Sequence, residues 1–353
     1  MKKKIAALLA MTGLIVSLTA CGGGGSAASS SASKSAASSA STSVASSSDS
    51  KDASASTEKA KSGEKVKIGF SQCVMNHPFR IAMVDSFKKV CESYDDVELV
   101  VVEGDGDVQT EITNIESLIQ QGCDAIIVSS LSGTSIYPAY KEVHDAGIPL
   151  VIAASGCADE SEDAYNYYDT FVSTDEVEMG VAAADYADEL LDGEGNVVMI
   201  RGVVESTNSL NRYVGWNQEA PNYPGLNVIA EQAADWIRLT ANEVMANLLQ
   251  ANDDIDLVYS ENDEMALGAY EAIKDAGRED EIQIISMDGQ QDACEAIKEG
   301  SSFKVTITNN STMDEAVLAA YKLAHGESVE KRIVLPYEIV TEDNVDDYMA
   351  RNF

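Results

Sequence analysis

With 353 residues, the chain has room for two modest domains and further segments besides. Its 59 Asp and Glu against 24 Lys and Arg give a formal charge of -35, which excludes nucleic acid as a partner because a phosphate backbone needs a basic face. The same charge suits a protein outside the cell or at a membrane surface, repelled from anionic lipid unless tethered, with most carboxylates on solvated faces.

The first segment is not part of a fold. Met1-Lys-Lys-Lys4 is a basic start, Ile5 to Leu18 an apolar stretch, and Leu18-Thr-Ala-Cys21-Gly22 a small-residue cleavage site ending in cysteine. This pattern resembles a bacterial lipoprotein signal, which implies removal of residues 1–20 and acylation of Cys21 as a lipid anchor on the outer face of the cell membrane. No other segment approaches ~18 uninterrupted apolar residues, so none is expected to span a membrane. Residues 22–64 are rich in Ser, Ala and Gly and hold little to bury, so the composition predicts a disordered linker. As a flexible coil it reaches about 35–40 Å, at ~5–6 Å times the square root of its length.

From residue 65 short apolar runs alternate with amphipathic stretches. Val66–Gln72, Val97–Val102, Asp124–Ser129 and Pro149–Ala154 read as strands. Pro78–Tyr94, Gln109–Gln121 and Tyr137–Ala146 read as the helices between them, the first with Phe79, Ile81, Val84, Phe87 and Val90 as candidate core residues. A Tyr-rich stretch, 165–175, holding only the apolar pair Phe171-Val172, breaks the rhythm before a long helix at Val177–Leu191.

The alternation then resumes. Strands are expected at Asn196–Ile200, Leu226–Ala230, Ile255–Tyr259, Ile282–Ile285 and Phe303–Thr308. The intervening helices are expected at Leu210–Glu219, Trp236–Leu249, Glu264–Ala276 and Ala293–Glu299, followed by a last helix at Met313–His325 and an apolar run at Arg332–Tyr337. The fold class is therefore α/β, two doubly wound parallel sheets, with a cleft expected between their strand ends.

Five cysteines remain in the body: Cys73, Cys91, Cys123, Cys157 and Cys294. They show no CxxC pair and no zinc spacing, so buried free thiols are expected, with one bridging pair left open. The chain also lacks a GxSxG elbow, a P-loop, a GxGxxG after the first strand and an HExxH. No cofactor, no metal and no catalytic residue is therefore expected, and the chain is read as a binding protein rather than an enzyme.

The polar residues at strand ends are more informative. His77 and Phe79 follow the first strand, Ser129 ends the third, Arg212 and Trp236 stand at helix starts in the second half, and Asn262, Asp288 and Asn309 each close a strand. A guanidinium donates two bonds to adjacent hydroxyls, a carboxylate accepts two, an amide does both, and an aromatic face packs on the C–H side of a sugar ring. Together these suit a small polyhydroxylated ligand. Each residue also has an ordinary structural role open to it: Asn262 as a helix cap, Phe79 and Trp236 as core anchors, Arg212 in a surface ion pair, Asp288 as a turn residue.

From about Lys65 to Asn309 the chain resembles the ribose- and galactose-type sugar-binding proteins of ABC importers. The resemblance is carried by Asn76-His-Pro-Phe79 after the first strand, Gly122-Cys-Asp-Ala-Ile-Ile-Val128, Arg212-Tyr-Val-Gly-Trp216, Ala234-Asp-Trp236, Glu261-Asn-Asp-Glu-Met-Ala-Leu-Gly268 and Ser286-Met-Asp-Gly289. It implies the type I periplasmic binding protein fold, two lobes joined by a three-crossover hinge near Ser173-Thr174, Asn309-Asn310 and Pro336-Tyr337. One lobe would then hold residues 65–173 and 310–336, the other 174–309 and 337–353.

The resemblance further implies a monomer that closes on its ligand and docks on a membrane permease, with His77, Phe79, Arg80, Ser129, Arg212, Trp236, Asn262, Asp288 and Asn309 around the ligand. Three departures stand out. Arg80 replaces a second aromatic, Ser129 replaces an amide, and Ala154-Ser155 stands where many sugar-binding members carry an Asp-Arg pair. The missing pair disfavours ribose itself. It leaves Arg80 as a replacement charge, or another pentose, hexose, polyol or small polar metabolite as ligand. Two other functions remain open at this level: a sensory receptor presenting its closed lobes to a membrane kinase or chemoreceptor, and a cleft enzyme. Repressors of the same fold begin with a helix-turn-helix, whereas this chain begins with a signal and a linker.

Overall fold

A computed structural model describes residues 65–353; the signal, Cys21 and the linker lie outside the described residues. The chain runs β1 (Val66–Gln72), α1 (Pro78–Cys91), β2 (Val97–Glu103), α2 (Val108–Gln120), β3 (Ala125–Ser129), α3 (Tyr137–Asp145), β4 (Leu150–Ala153) and β5 (Thr170–Thr174). It continues α4 (Glu176–Leu190), β6 (Gly195–Arg201), α5 (Thr207–Glu219), β7 (Leu226–Ala233), α6 (Arg238–Ala251), β8 (Leu257–Ser260), α7 (Asp263–Asp275), β9 (Gln283–Asp288), α8 (Gln291–Lys298) and β10 (Phe303–Thr308). It ends α9 (Asp314–Ala324), β11 (Arg332–Leu335), β12 (Ile339–Val340) and α10 (Val345–Asn352).

Two six-stranded sheets result, in the orders β11-β5-β4-β3-β1-β2 and β12-β10-β9-β8-β6-β7. The orders correspond strand for strand, so each lobe has its switch point beside its first strand, between β1 and β3 and between β6 and β8. In open α/β sheets ligands bind at that crevice, beyond the carboxyl ends of the strands. All pairings are parallel except β10 with β12, so the second sheet carries one antiparallel edge strand.

The chain passes between sheets at three places among the described residues. β5 lies in the first sheet and α4 packs on the second; β10 lies in the second and α9 packs on the first; β11 pairs with β5, while β12 pairs with β10.

Side-chain caps set the polarity of the cleft layer. His77, Asp107, Asp175, Ser206 and Asn262 each cap the helix that follows a strand, accepting from a backbone N–H of its first turn. Behind this layer the lobes are apolar. Phe70 meets Phe87 at 5.2 Å between ring centroids in the first, and Trp216 stacks on Tyr259 at 4.7 Å in the second. Burying a side chain of this size contributes about 1.5–3 kcal/mol. α4 and α5 approach closely because Gly180 and Gly215 face each other: a Cβ on either would run into a backbone carbonyl, of Arg212 or of Val177.

Several expectations need correction. Ile81, proposed for the core, is 40% exposed, because it lies on the outer side of α1. The Phe171-Val172 pair is the centre of a full strand, β5, whose flanking Thr and Ser residues are buried between β4 and β11. The helix expected from Trp236 begins at Arg238, because Asp235 and Trp236 have positive φ of 54° and 68° and cannot join it. β12 and α10 had no counterpart in the sequence reading. The five body cysteines are free thiols as expected, four buried and Cys157 half-buried.

Candidate functional site

A cavity of about 710 Å³ lies between the two sets of strand ends. The first lobe lines it with His77, Phe79 and Arg80, and the second with Arg212, Trp236, Asn262 and Asp288, while Asn309 comes from the second passage between lobes. Ser129 is not on this wall. It is fully buried one layer behind, where its hydroxyl receives Arg80.

On the first wall, Pro78 at the start of α1 fixes the turn, and His77 Nδ1 accepts from Phe79 N at 3.2 Å. Burial, and then the charges of Arg80 and Arg212, push the His77 imidazole down to about 3, so it is neutral at physiological pH. Its Nε2 lies 2.9 Å from Asn262 Nδ2 of the opposite lobe. Arg80, 6% exposed, reaches back from α1 into the lobe. Its Nη1 donates to Ser129 Oγ at 2.5 Å and its Nη2 to Ser155 Oγ at 3.0 Å. The guanidinium thus arrives from α1 at the end of β4, the strand end that lacks the Asp-Arg pair.

On the second wall, Asn262 is both cap and cleft residue. Its Oδ1 accepts from Met265 N at 2.9 Å while its amide nitrogen faces His77. Asp263 turns the other way, accepting from Ser286 and, at 2.8 Å, from Thr306 Oγ1. Arg212 is fastened on three sides: Nε to Glu176 Oε2 at 2.5 Å, Nη2 to Asp288 Oδ1 at 3.3 Å, and Nη1 to the carbonyl oxygen of Glu261. Burial works against its charge, but Glu176 and Asp288 outweigh it and hold Arg212 above its ordinary value.

Asp288 has a φ of 118°, which turns its carboxylate off the end of β9 into the cleft, and Gly289 follows at a φ of 73°. Tyr348 of α10 donates to the Gly289 carbonyl at 3.1 Å and braces this turn. Burial raises the Asp288 carboxyl, Arg212 lowers it, and the nearby Glu176 adds repulsion; the balance is upward. Trp236 lies with its six-membered ring over Gly202, where any Cβ would displace it, and the Arg212 guanidinium carbon is 5.6 Å from its ring centroid.

Three residues of this site were not singled out from the sequence. Glu176, 3% exposed, accepts from Arg212, from Asn208 Nδ2 at 2.6 Å and from Asn309 Nδ2 at 3.2 Å. Asn208 also donates to the carbonyl of Ala154 in the other lobe at 3.1 Å. Glu111, on the first wall, accepts from Ser130 at 2.5 Å and from Ser132 at 2.6 Å. An acid at the first position of a helix, such as Glu176, ordinarily reads as a partner of the helix dipole, which hides its second role.

Residues 68–328 match the profile of the periplasmic binding protein domain family. Among curated proteins, the chain is 34% identical over 252 residues to a xylitol-binding protein of Mycolicibacterium smegmatis, covering 71% of this chain and 70% of the relative. It is 30% identical over 287 residues to a ribose import binding protein of Bacillus subtilis, covering 80% and 90%. Among solved structures, an ABC transporter solute binding protein from Bacillus halodurans with bound myo-inositol superposes with a TM-score of 0.77 at 31% identity, covering 83% of this chain and 100% of that one. With two lobes of matching strand order, a cleft at their switch points and this family profile over most of its length, the chain belongs to the periplasmic binding protein domain family, in its type I sugar-binding form.

Proposed function

We propose that the protein is a lipid-anchored extracellular receptor that captures a sugar or similar small polar ligand and delivers it to an ABC permease, without chemical turnover. The observation that carries this reading is the shared cavity: Arg80 and His77 from one lobe face Asn262, Asp288 and Trp236 from the other. A ligand held there contacts both lobes only when they are closed, so binding shifts the open–closed equilibrium. The solute-binding and import proteins among its relatives support the permease as partner. The signal pattern ending at Cys21 supports the anchor, and one chain supplying the whole cleft is compatible with a monomer.

A thermal-shift screen over sugars, polyols and nucleosides tests the reading, since a ligand selective for the native state raises the melting temperature. A rise with a sugar or polyol, with the ligand recovered unaltered, is the expected result. No rise with any of them, or a converted product, overturns it. Loss of lipid labelling in Cys21→Ser tests the anchor separately.

A further inference from the structure

Three arginines line the cleft, and two are neutralised. Arg212 has Glu176 and Asp288, and Arg238 has Glu264 and Asp292. Arg80 has no carboxylate within ion-pair reach among the described residues, although it is the most deeply set cation of the first wall. What it has is neutral: the hydroxyls of Ser129 and Ser155, and the Met83 sulfur at 3.9 Å from Nη1. Both serines stand behind the wall, so they hold the guanidinium from the protein side. Its Nε–H and the second N–H of Nη2 donate to no acceptor among the described residues. Those two groups form the side edge of the guanidinium fork, the edge that matches a planar carboxylate with two parallel bonds.

The acids nearby are committed elsewhere. Both oxygens of Glu111 accept from serines and neither is within ion-pair reach of Arg80, whose charge acts on it only from farther off. Asp107 caps α2 through Thr110 N at 2.9 Å. A buried cation without a partner is costly, and a hydroxyl fills its N–H groups without neutralising it.

We propose that the ligand is a sugar acid, a monosaccharide-sized polyol carrying one carboxylate, and that Arg80 receives that carboxylate while Asn262, Asp288 and Trp236 take the hydroxyls and the ring. This rests on the sugar-binding reading above and narrows it. The chain's overall negative charge opposes an anion only at long range, where salt screens it beyond about 10 Å at 0.1 M. At contact inside a closed cleft the guanidinium dominates.

Calorimetric titration of the full-length protein tests this with matched pairs: galactose and galacturonate, glucose and glucuronate, xylose and xylonate, ribose and ribonate, together with the corresponding sugar phosphates. The expected result is that at least one acid binds ten-fold or more tighter than its neutral parent. Arg80→Lys, which keeps the charge but not the fork, should narrow that ratio, with its circular dichroism and melting curve checked for folding. The wild-type ratio stands as the test even if the variant misfolds. Neutral sugars binding as well as or better than their acids, or phosphates better than carboxylates, overturn the sugar-acid assignment and leave the sugar-binding reading intact. Failure of every sugar, neutral or acidic, overturns both.

Discussion

Asn309 Nδ2 donates to Glu176 Oε1 at 3.2 Å, and the two residues stand at different passages of the chain between the lobes. The same carboxylate receives Arg212 through its other oxygen, and Arg212 reaches on to Asp288 in the cleft. Hinge and ligand wall are therefore joined through one buried acid.

Removing that acid should be expensive. Glu176→Ala leaves the buried Arg212 with Asp288 as its one remaining counter-charge among the described residues, and breaking a buried pair in this way costs about 3–5 kcal/mol. Urea unfolding of the ligand-free protein measures it. A loss below ~1 kcal/mol would show that the network is not structural.

Asp288 should behave in the opposite sense. In Asp288→Asn, affinity for the ligand should fall about 10- to 100-fold, the ~1.5–3 kcal/mol of a hydrogen bond to a charged group. The ligand-free melting temperature should not fall with it. Burial, opposed by Arg212, sets this carboxyl above its ordinary 3.8, and its neighbour Asp263 is raised likewise by burial and by Asp288 itself. The folded state thus holds protons that the unfolded chain has released, so stability is lost as pH rises through the folded values. From about pH 4, where the unfolded carboxyls ionise, up to about 6 for Asp288 and about 8 for Asp263, the wild-type protein should lose stability, and the variant should lose less. A variant that melts lower and binds normally would make Asp288 only a turn residue.

Acid should loosen ligand binding through His77. Its imidazole titrates at about 3 when the lobes are closed on it, against an ordinary 6.5, with burial as the main cause. An opened cleft returns the ring to water, so below pH 6.5 the open form takes up a proton that the closed form must give back. Affinity should fall by up to about ten-fold per pH unit between pH ~6 and ~4. Titrations of wild type and His77→Gln at matched pH check this. Identical slopes would assign the effect to Asp288 instead.

Two glycines should separate stability from binding. A Cβ at Gly215 meets the Val177 backbone, which cannot yield without parting α4 from α5, so Gly215→Ala should cost about 1–3 kcal/mol. A Cβ at Gly202 would have its three nearest neighbours in the Trp236 ring, so Gly202→Ala should move that ring and weaken binding at little cost in melting temperature. Calorimetry and thermal melting on the same two samples decide it.

Local pattern alone marked out the two α/β halves, most strand positions and the placement of Asn262 and Asp288 at strand ends, because hydrophobic period and turn chemistry are local properties. The sequence offered Arg80 as one possible replacement for the charge missing at Ala154-Ser155, without placing the two together. The tertiary structure supplied the contact, carrying a side chain from α1 to Ser155, 75 residues on, and withdrawing Ser129 from the wall to support it. β5, β12 and α10 lay beyond local pattern for the same reason. β5 and β12 are short segments stabilised by neighbours far away in the chain, and α10 is an acidic helix anchored by Val345 and Tyr348. Glu176 shows the limit most plainly: its neighbours in sequence make it a helix-start acid, and only three donors from 32 to 133 residues away make it the centre of the hinge.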